Sequence, residues 1–208
     1  SGNYTGLHLQ LNARQIATAF ALAVAVLLAL HVVINTLRFT LGNEKLFGLV
    51  YMFSVGADYN IPTFYSSFAL LFTGCLLLFI GYMVHKLQRS HWLYWLGLGS
   101  IFCFLAVDEM LELHERLIEP IRKVTGASGL LYYAWVIPYA TALLALGLLY
   151  LKFLLALPRR TALLFVLSGT VFVTGAIGFE MLSGLFSQTF GTITPGYVAL
   201  QTVEEGAE

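Results

Sequence analysis

The stretch FLAVDEMLELHERLIEP, Phe104–Pro120, sets the end of an apolar run against five carboxylates and a histidine. Asp108, Glu109, Glu112, Glu115 and Glu119 are five of only 11 acidic residues in a chain of 208. The residues before them, from Trp92 to Val107, carry no charge at all. An apolar run of about 20 residues is long enough to cross a bilayer, so Trp92–Leu113 reads as a membrane span that ends in acid. Ionised groups at that depth are unfavourable unless paired, protonated, metal-bound or wet, which makes intramembrane acids functional candidates by default.

Four further runs of spanning length surround this one: Gln15–Leu37, Pro62–His85, Leu130–Leu157 and Thr161–Leu185. A sixth segment starts near Pro195 and reaches Glu208, which is too short to span. The expected fold is all-α, a single polytopic transmembrane helical bundle of five full spans plus a sixth partial helix. Composition agrees, with 59% hydrophobic and 11% charged residues, where soluble domains carry about 25% charged. Zero net charge without a basic run excludes a nucleic-acid partner. The expected partners are the lipid bilayer and, beyond it, other membrane subunits or a second copy of the chain. Cys75 and Cys103 lie inside apolar runs and read as small core residues. Ser1-Gly2 reads as a fusion scar, with no cleavable signal pattern after it.

Local signals sharpen the boundaries. Asn60-Ile61-Pro62 has the form of a helix start, with proline in the first turn where its missing N–H does no harm. Pro158-Arg159-Arg160 makes a tight hairpin between spans four and five. Pro138 falls inside span four and is expected to kink it. Gly169, Gly175 and Gly178 are expected to let span five approach a neighbour closely. Tyr132, Tyr133 and Trp135 suit an aromatic belt. Arg14, Lys86, Arg89, Lys152, Arg159 and Arg160 fall on one side, against Arg38, Lys45, Arg116, Arg122 and Lys123 on the other. The short basic loops of the first group favour a cytoplasmic N-terminus in a bacterial inner membrane.

This topology gathers distant acids into one membrane half. Spans three and five run the same way, so Asp108 and Glu109 approach the level of Glu180. Segment six enters from that side, bringing Glu204, Glu205 and Glu208 back toward them, and Asp58 sits in the loop there. In a continuous helix of ~100° per residue, Asp108, Glu112, Glu115 and Glu119 share a stripe while His114 and Glu109 lie off it. The outer part of the motif also admits a wet, purely structural reading, through Glu112 with Arg116 and Glu119 with Arg122. Tyr139, beside Pro138, is a candidate hydrogen-bond donor to a buried acid.

The pieces NIPTFYSSFALL, LAVDEMLELHERL and TVEEGAE together resemble a family of uncharacterised bacterial polytopic membrane proteins with an Asp-Glu-x4-His-Glu segment. The resemblance covers about Asp58 to Glu208 and implies an architecture without an activity. It also implies a full final helix continuing past Glu208.

The leading expectation is a membrane-embedded divalent metal site, with Asp108, Glu109, His114, Glu115, Glu180, Glu204, Glu205 and Glu208 as candidate ligands. His31, in span one, is an outlying candidate, although a lone histidine in an apolar helix is more often hydrogen-bonded structure. A carboxylate-rich set with few imidazoles suits iron, manganese or zinc, which would support redox or hydrolytic chemistry. The alternatives are a proton- or cation-coupled transporter using the same acids and a non-catalytic subunit of a membrane complex. No nucleophile triad, phosphate loop or dinucleotide fingerprint is legible.

Overall fold

A computed structural model describes residues 12–208; Ser1-Gly2 lies outside the described residues. Among those residues the chain is helical, and no strand forms. Five helical stretches are long and apolar enough to cross a membrane: Ala13–Leu41, Ile61–Lys86, Trp92–Leu111, Val136–Ala156 and Arg159–Phe190. The first four are α1, α3, α4 and α6. Short helices join them: α2, Leu49–Phe53, between α1 and α3, and α5, Ile118–Thr125, between α4 and α6. The fifth is divided by a π-helical turn, Thr174–Phe179, into α7, Arg159–Val173, and α8, Glu180–Phe190. The last helix, α9, covers Pro195–Ala207.

The ends form where side chains satisfy the free backbone groups of a helix terminus. Asn60 Oδ1 accepts the Thr63 N–H at 3.1 Å, and Pro62 occupies the first turn of α3. Thr194 Oγ1 accepts the Tyr197 N–H at 3.2 Å and starts α9, again with proline in the first turn. Pro138 is the third residue of α6, still in its first turn, so the kink expected inside span four does not arise. The missing N–H falls where no intrahelical partner exists.

The α3–α4 pair is the most closely packed part of the bundle. A Cβ on Gly99 would lie 2.8 Å from the Leu78 backbone nitrogen and 2.9 Å from the Gly74 oxygen. On Gly74 it would lie 2.9 Å from the Cys103 nitrogen. Backbone meets backbone here, which only glycine allows. The expected roles of the span-five glycines hold at one of the three. Gly169 has open space and Gly178 faces only its own Thr174, whereas Gly175 lies under α9. Cys75 is exposed rather than in the core, and Cys103 is half-buried; both are free thiols.

After α8 the chain reverses and α9 runs back alongside it. Gly196 faces Phe186 at the start of the return, and Gly175 faces the Glu204 oxygen near its end. On its other side α9 meets α1, through Gly206 and Leu28, and the loop before α3, where Gln201 Nε2 donates to the Gly56 oxygen at 3.3 Å. The acids of α9 are thereby held inside the bundle.

Replacing Gly99 with alanine should destabilise the detergent-solubilised protein by about 1–3 kcal/mol, the usual range for overpacking. Alanine at Gly147, which has nothing within 4 Å, should be neutral or stabilising. Thermal denaturation of the two variants side by side checks this.

Candidate functional site

Helix α4 does not continue through its acidic segment. Glu112 ends it in the left-handed region, at φ 51° and ψ 44°, and a 3-10 turn, Glu115–Leu117, leads into α5. The common stripe expected for Asp108, Glu112, Glu115 and Glu119 is therefore broken. The break is held by Asp108, which is only 4% exposed. Its Oδ1 accepts the His114 backbone N–H at 2.8 Å, and its Oδ2 accepts the Tyr139 hydroxyl at 3.0 Å. His114 Nδ1 stands 3.3 Å from the same Oδ2. One carboxylate thus closes the turn, ties α4 to α6 and orients an imidazole. With Nδ1–H directed at Asp108, the Nε2 lone pair of His114 is the free one.

The folded-back segment meets the loop before α3. Here Asp58, Glu112 and Glu115 each offer an oxygen, all within 4.8 Å of one another. Ligand oxygens around one cation at 2.0–2.6 Å stand at most about 4–5 Å apart, so the spacing fits a single ion. The loop that carries Asp58 is itself clamped. Asn60 Nδ2 donates to the Ser54 and Tyr51 oxygens at 2.6 and 3.1 Å, and His31 Nδ1 accepts the Val55 N–H at 3.1 Å. His31 is fully buried and is not among the residues that line the cavity described next. It positions the loop.

Behind this mouth lies a cavity of about 890 Å³. All eight acid and histidine candidates from the sequence line it, joined by Asp58 and Glu112. Of the chain's 11 acidic residues, every one except Glu44 and Glu119 is on its wall, and no lysine or arginine is, among the described residues. Glu119 instead takes the structural role, 3.2 Å from Arg122 Nη1. The expected Glu112–Arg116 pair does not form, among the described residues; Glu112 turns toward Asp58, and its Oε1 is buried without a partner.

The deeper wall belongs to α8 and α9. Trp135 Nε1–H donates to Glu180 Oε1 at 2.9 Å, and the Ser183 hydroxyl donates to Glu204 Oε2 at 2.6 Å. The Glu180 and Glu204 carboxyls adjoin one another, with Glu205, Glu208 and Glu109 as acidic neighbours. The Trp135 ring lies 4.7 Å from that of His114 and 5.1 Å from that of Tyr139, so one indole joins the two ends of the site. Tyr133 and Tyr197 meet hydroxyl to hydroxyl at 3.0 Å, and Gln201 Nε2 donates to Tyr197 at 3.3 Å. The aromatic-belt reading is overturned for Trp135 and Tyr133, which face this interior. The sequence reading gave both to a lipid interface; the signal for the site was their position just before α6, opposite the acidic segment.

The family described as Domain of unknown function (DUF8692) matches residues 16–208. The chain belongs to that family. The match takes in every element that lines the cavity. No curated protein and no solved structure matches the chain.

Burial, followed by neighbouring negative charge, raises the pKa of Glu115 and Glu112 at the mouth. Burial raises that of Asp58 too, partly offset by His114. For His114, burial acts downward, but the hydrogen bond to Asp108 and the surrounding carboxylates outweigh it and the net shift is upward. A carboxyl whose folded pKa exceeds its unfolded value binds more protons when folded, so its stabilising contribution is lost as pH rises. The metal-free protein should therefore lose thermal stability as pH climbs above the ordinary carboxylate range of about 4. A divalent cation should restore it at neutral pH more than at acid pH; melting curves with and without manganese check both. In Asp108→Asn the His114 ring should titrate at lower pH than in wild type, read by NMR of the imidazole.

Proposed function

We propose that this is a membrane-embedded metal-binding protein in which Asp58, Glu112 and Glu115 hold a divalent cation at the mouth of the cavity. The observation that carries this reading is the one-sided wall: nine carboxylates face one space with no lysine or arginine opposite them among the described residues. Two ways of neutralising such a wall are protonation and a cation, and a divalent ion offsets two carboxylates at once. The oxygen-only triad favours manganese among iron, manganese and zinc, whereas recruitment of His114 Nε2 would favour iron or zinc. Asp108 then acts as the partner that fixes the imidazole, a recurrent arrangement around metal-binding histidines. The deeper group of Glu109, Glu180, Glu204, Glu205 and Glu208 provides a reservoir of shared protons or a second ion position. A two-ion centre would extend the reading to redox or hydrolytic chemistry. The setting we infer is a bacterial inner membrane with a cytoplasmic N-terminus.

A second reading, cation- or proton-coupled transport, draws on a different observation. The acids run in series from the mouth to Glu180 beside a π-helical turn, a feature common at functional sites, and beside a helix that turns back into the bundle. Flux in proteoliposomes that is insensitive to the pH gradient and to Glu180→Gln would count against it. Membership of a larger membrane complex or of a homo-oligomer is compatible with either reading.

Metal analysis of the purified protein tests the first. Wild type should carry stoichiometric manganese, iron or zinc, and Glu112→Gln and Glu115→Gln should lose it, while Glu119→Gln should not. For iron or zinc, which would recruit His114, Asp108→Asn should weaken affinity by about 10–100-fold, as loss of a ligand-orienting partner does. A wild-type protein that neither contains nor takes up any of the three metals would remove this reading.

A further inference from the structure

The cavity has an apolar half that the metal reading leaves without a role. Helix α6 reaches α4 through two tyrosines. Tyr139 donates to Asp108 at one end, and the Tyr150 hydroxyl donates to the Tyr94 backbone oxygen at 3.0 Å at the other. Between these struts the helices face each other across the cavity, Ile101, Phe104 and Leu105 of α4 opposite Ala142, Leu143 and Leu146 of α6. At 1.5 Å per residue the struts stand about 21 Å apart along α4 and about 17 Å apart along α6. Half of the ~30 Å hydrocarbon core, the depth of one leaflet's chains, is about 15 Å. The slot therefore has the length of an extended alkyl chain and lies along a helix that spans the same core.

Two further features define its occupant. Phe104 is 50% exposed and Ala142 is exposed, so the flank between the struts is open to the surroundings of the helices. At the Tyr139 end the same cavity turns acidic, with hydroxyl, indole and imidazole groups among the carboxylates. The volume of about 890 Å³ falls within the range of small-ligand sites, roughly 300–1,000 Å³. The apolar slot is the part of that cavity that lies between two membrane-spanning helices, where the surroundings are alkyl chains.

We propose that the slot between α4 and α6 admits the alkyl chain of a membrane amphiphile sideways from the bilayer and presents its head group to the carboxylates. The head is cationic or an uncharged hydrogen-bond donor; without a metal ion, an anionic head would face nine carboxylates and, among the described residues, no lysine or arginine. This names the substrate class for the site proposed above and rests on that reading only for what the head group would meet. The chain-binding slot itself does not require a metal.

The test uses the full chain in detergent, stripped of metal by a chelator, with hexadecylamine, hexadecanol and hexadecyl sulfate as probes. Binding is followed by native mass spectrometry, and metal uptake is measured separately on the same preparations. The amine and the alcohol should be retained, and the sulfate should bind at least about tenfold more weakly. Ala142→Trp, which fills the slot, should reduce amine retention by about tenfold or more while leaving manganese uptake intact. Leu148→Trp, on a 77% exposed face of α6, should change neither. Equal binding of all three heads, equal binding to Ala142→Trp and Leu148→Trp, or dimers that Ala142→Trp dissociates would overturn the proposal. Loss of metal uptake with chain binding preserved would strike the metal reading alone.

Discussion

Like charge in a confined space is the constraint to which the rest of this structure answers. Nine carboxylates face one cavity, and among the described residues no lysine or arginine stands on its wall. In a medium of low dielectric such a set cannot all ionise at once. The protein handles the excess locally. Asp108 is surrounded by donors from His114 and Tyr139, Glu180 receives the Trp135 indole N–H, and Glu204 receives the Ser183 hydroxyl. At the mouth, by contrast, Glu112 Oε1 is buried and unpartnered. Function is best sought where neutralisation by the fold is least complete.

Three departures from regular helix create that arrangement. The left-handed Glu112 stops α4 and folds His114 back onto Asp108. The π-helical turn at Thr174–Phe179 precedes Glu180, and Gly175 within it gives α9 room to approach. The reversal after Phe190 then sends α9 back along α8, bringing Glu204 to Ser183. A non-glycine residue with positive φ costs energy; at Glu112 it is held by the hydrogen bonds of a carboxylate four residues earlier. Strain and acid pairing are thus one feature of the site, since Asp108 serves both.

Much of this was visible in the residues. Uninterrupted apolar runs located the five long helices because a bilayer admits little else. Asn60 with Pro62 located a helix start, because cap chemistry is local. That Asp108, Glu180 and Glu204 line one cavity agrees with a count of the directions of the spans. Less visible was everything that depends on helix phase after a break. The stripe through Asp108, Glu112, Glu115 and Glu119 assumed a rotation that the backbone at Glu112 does not keep. Glu112 and Asp58 were accordingly underweighted, and Trp135 was assigned to a lipid interface that it does not face.

From its sequence alone the chain is a bundle of apolar helices with most of its acids directed to one end, because hydropathy and chain direction act over whole segments and tolerate local error. Only the tertiary structure parted Glu112 from Arg116, its expected partner, while Glu119 kept Arg122. It alone placed Asp58 beside Glu112, and Gly74 rather than Gly169 at a helix contact. Those outcomes depend on side-chain direction to within a fraction of a helical turn. That direction is set by one left-handed residue, one wide turn and the contacts around them, which no segment-length pattern encodes.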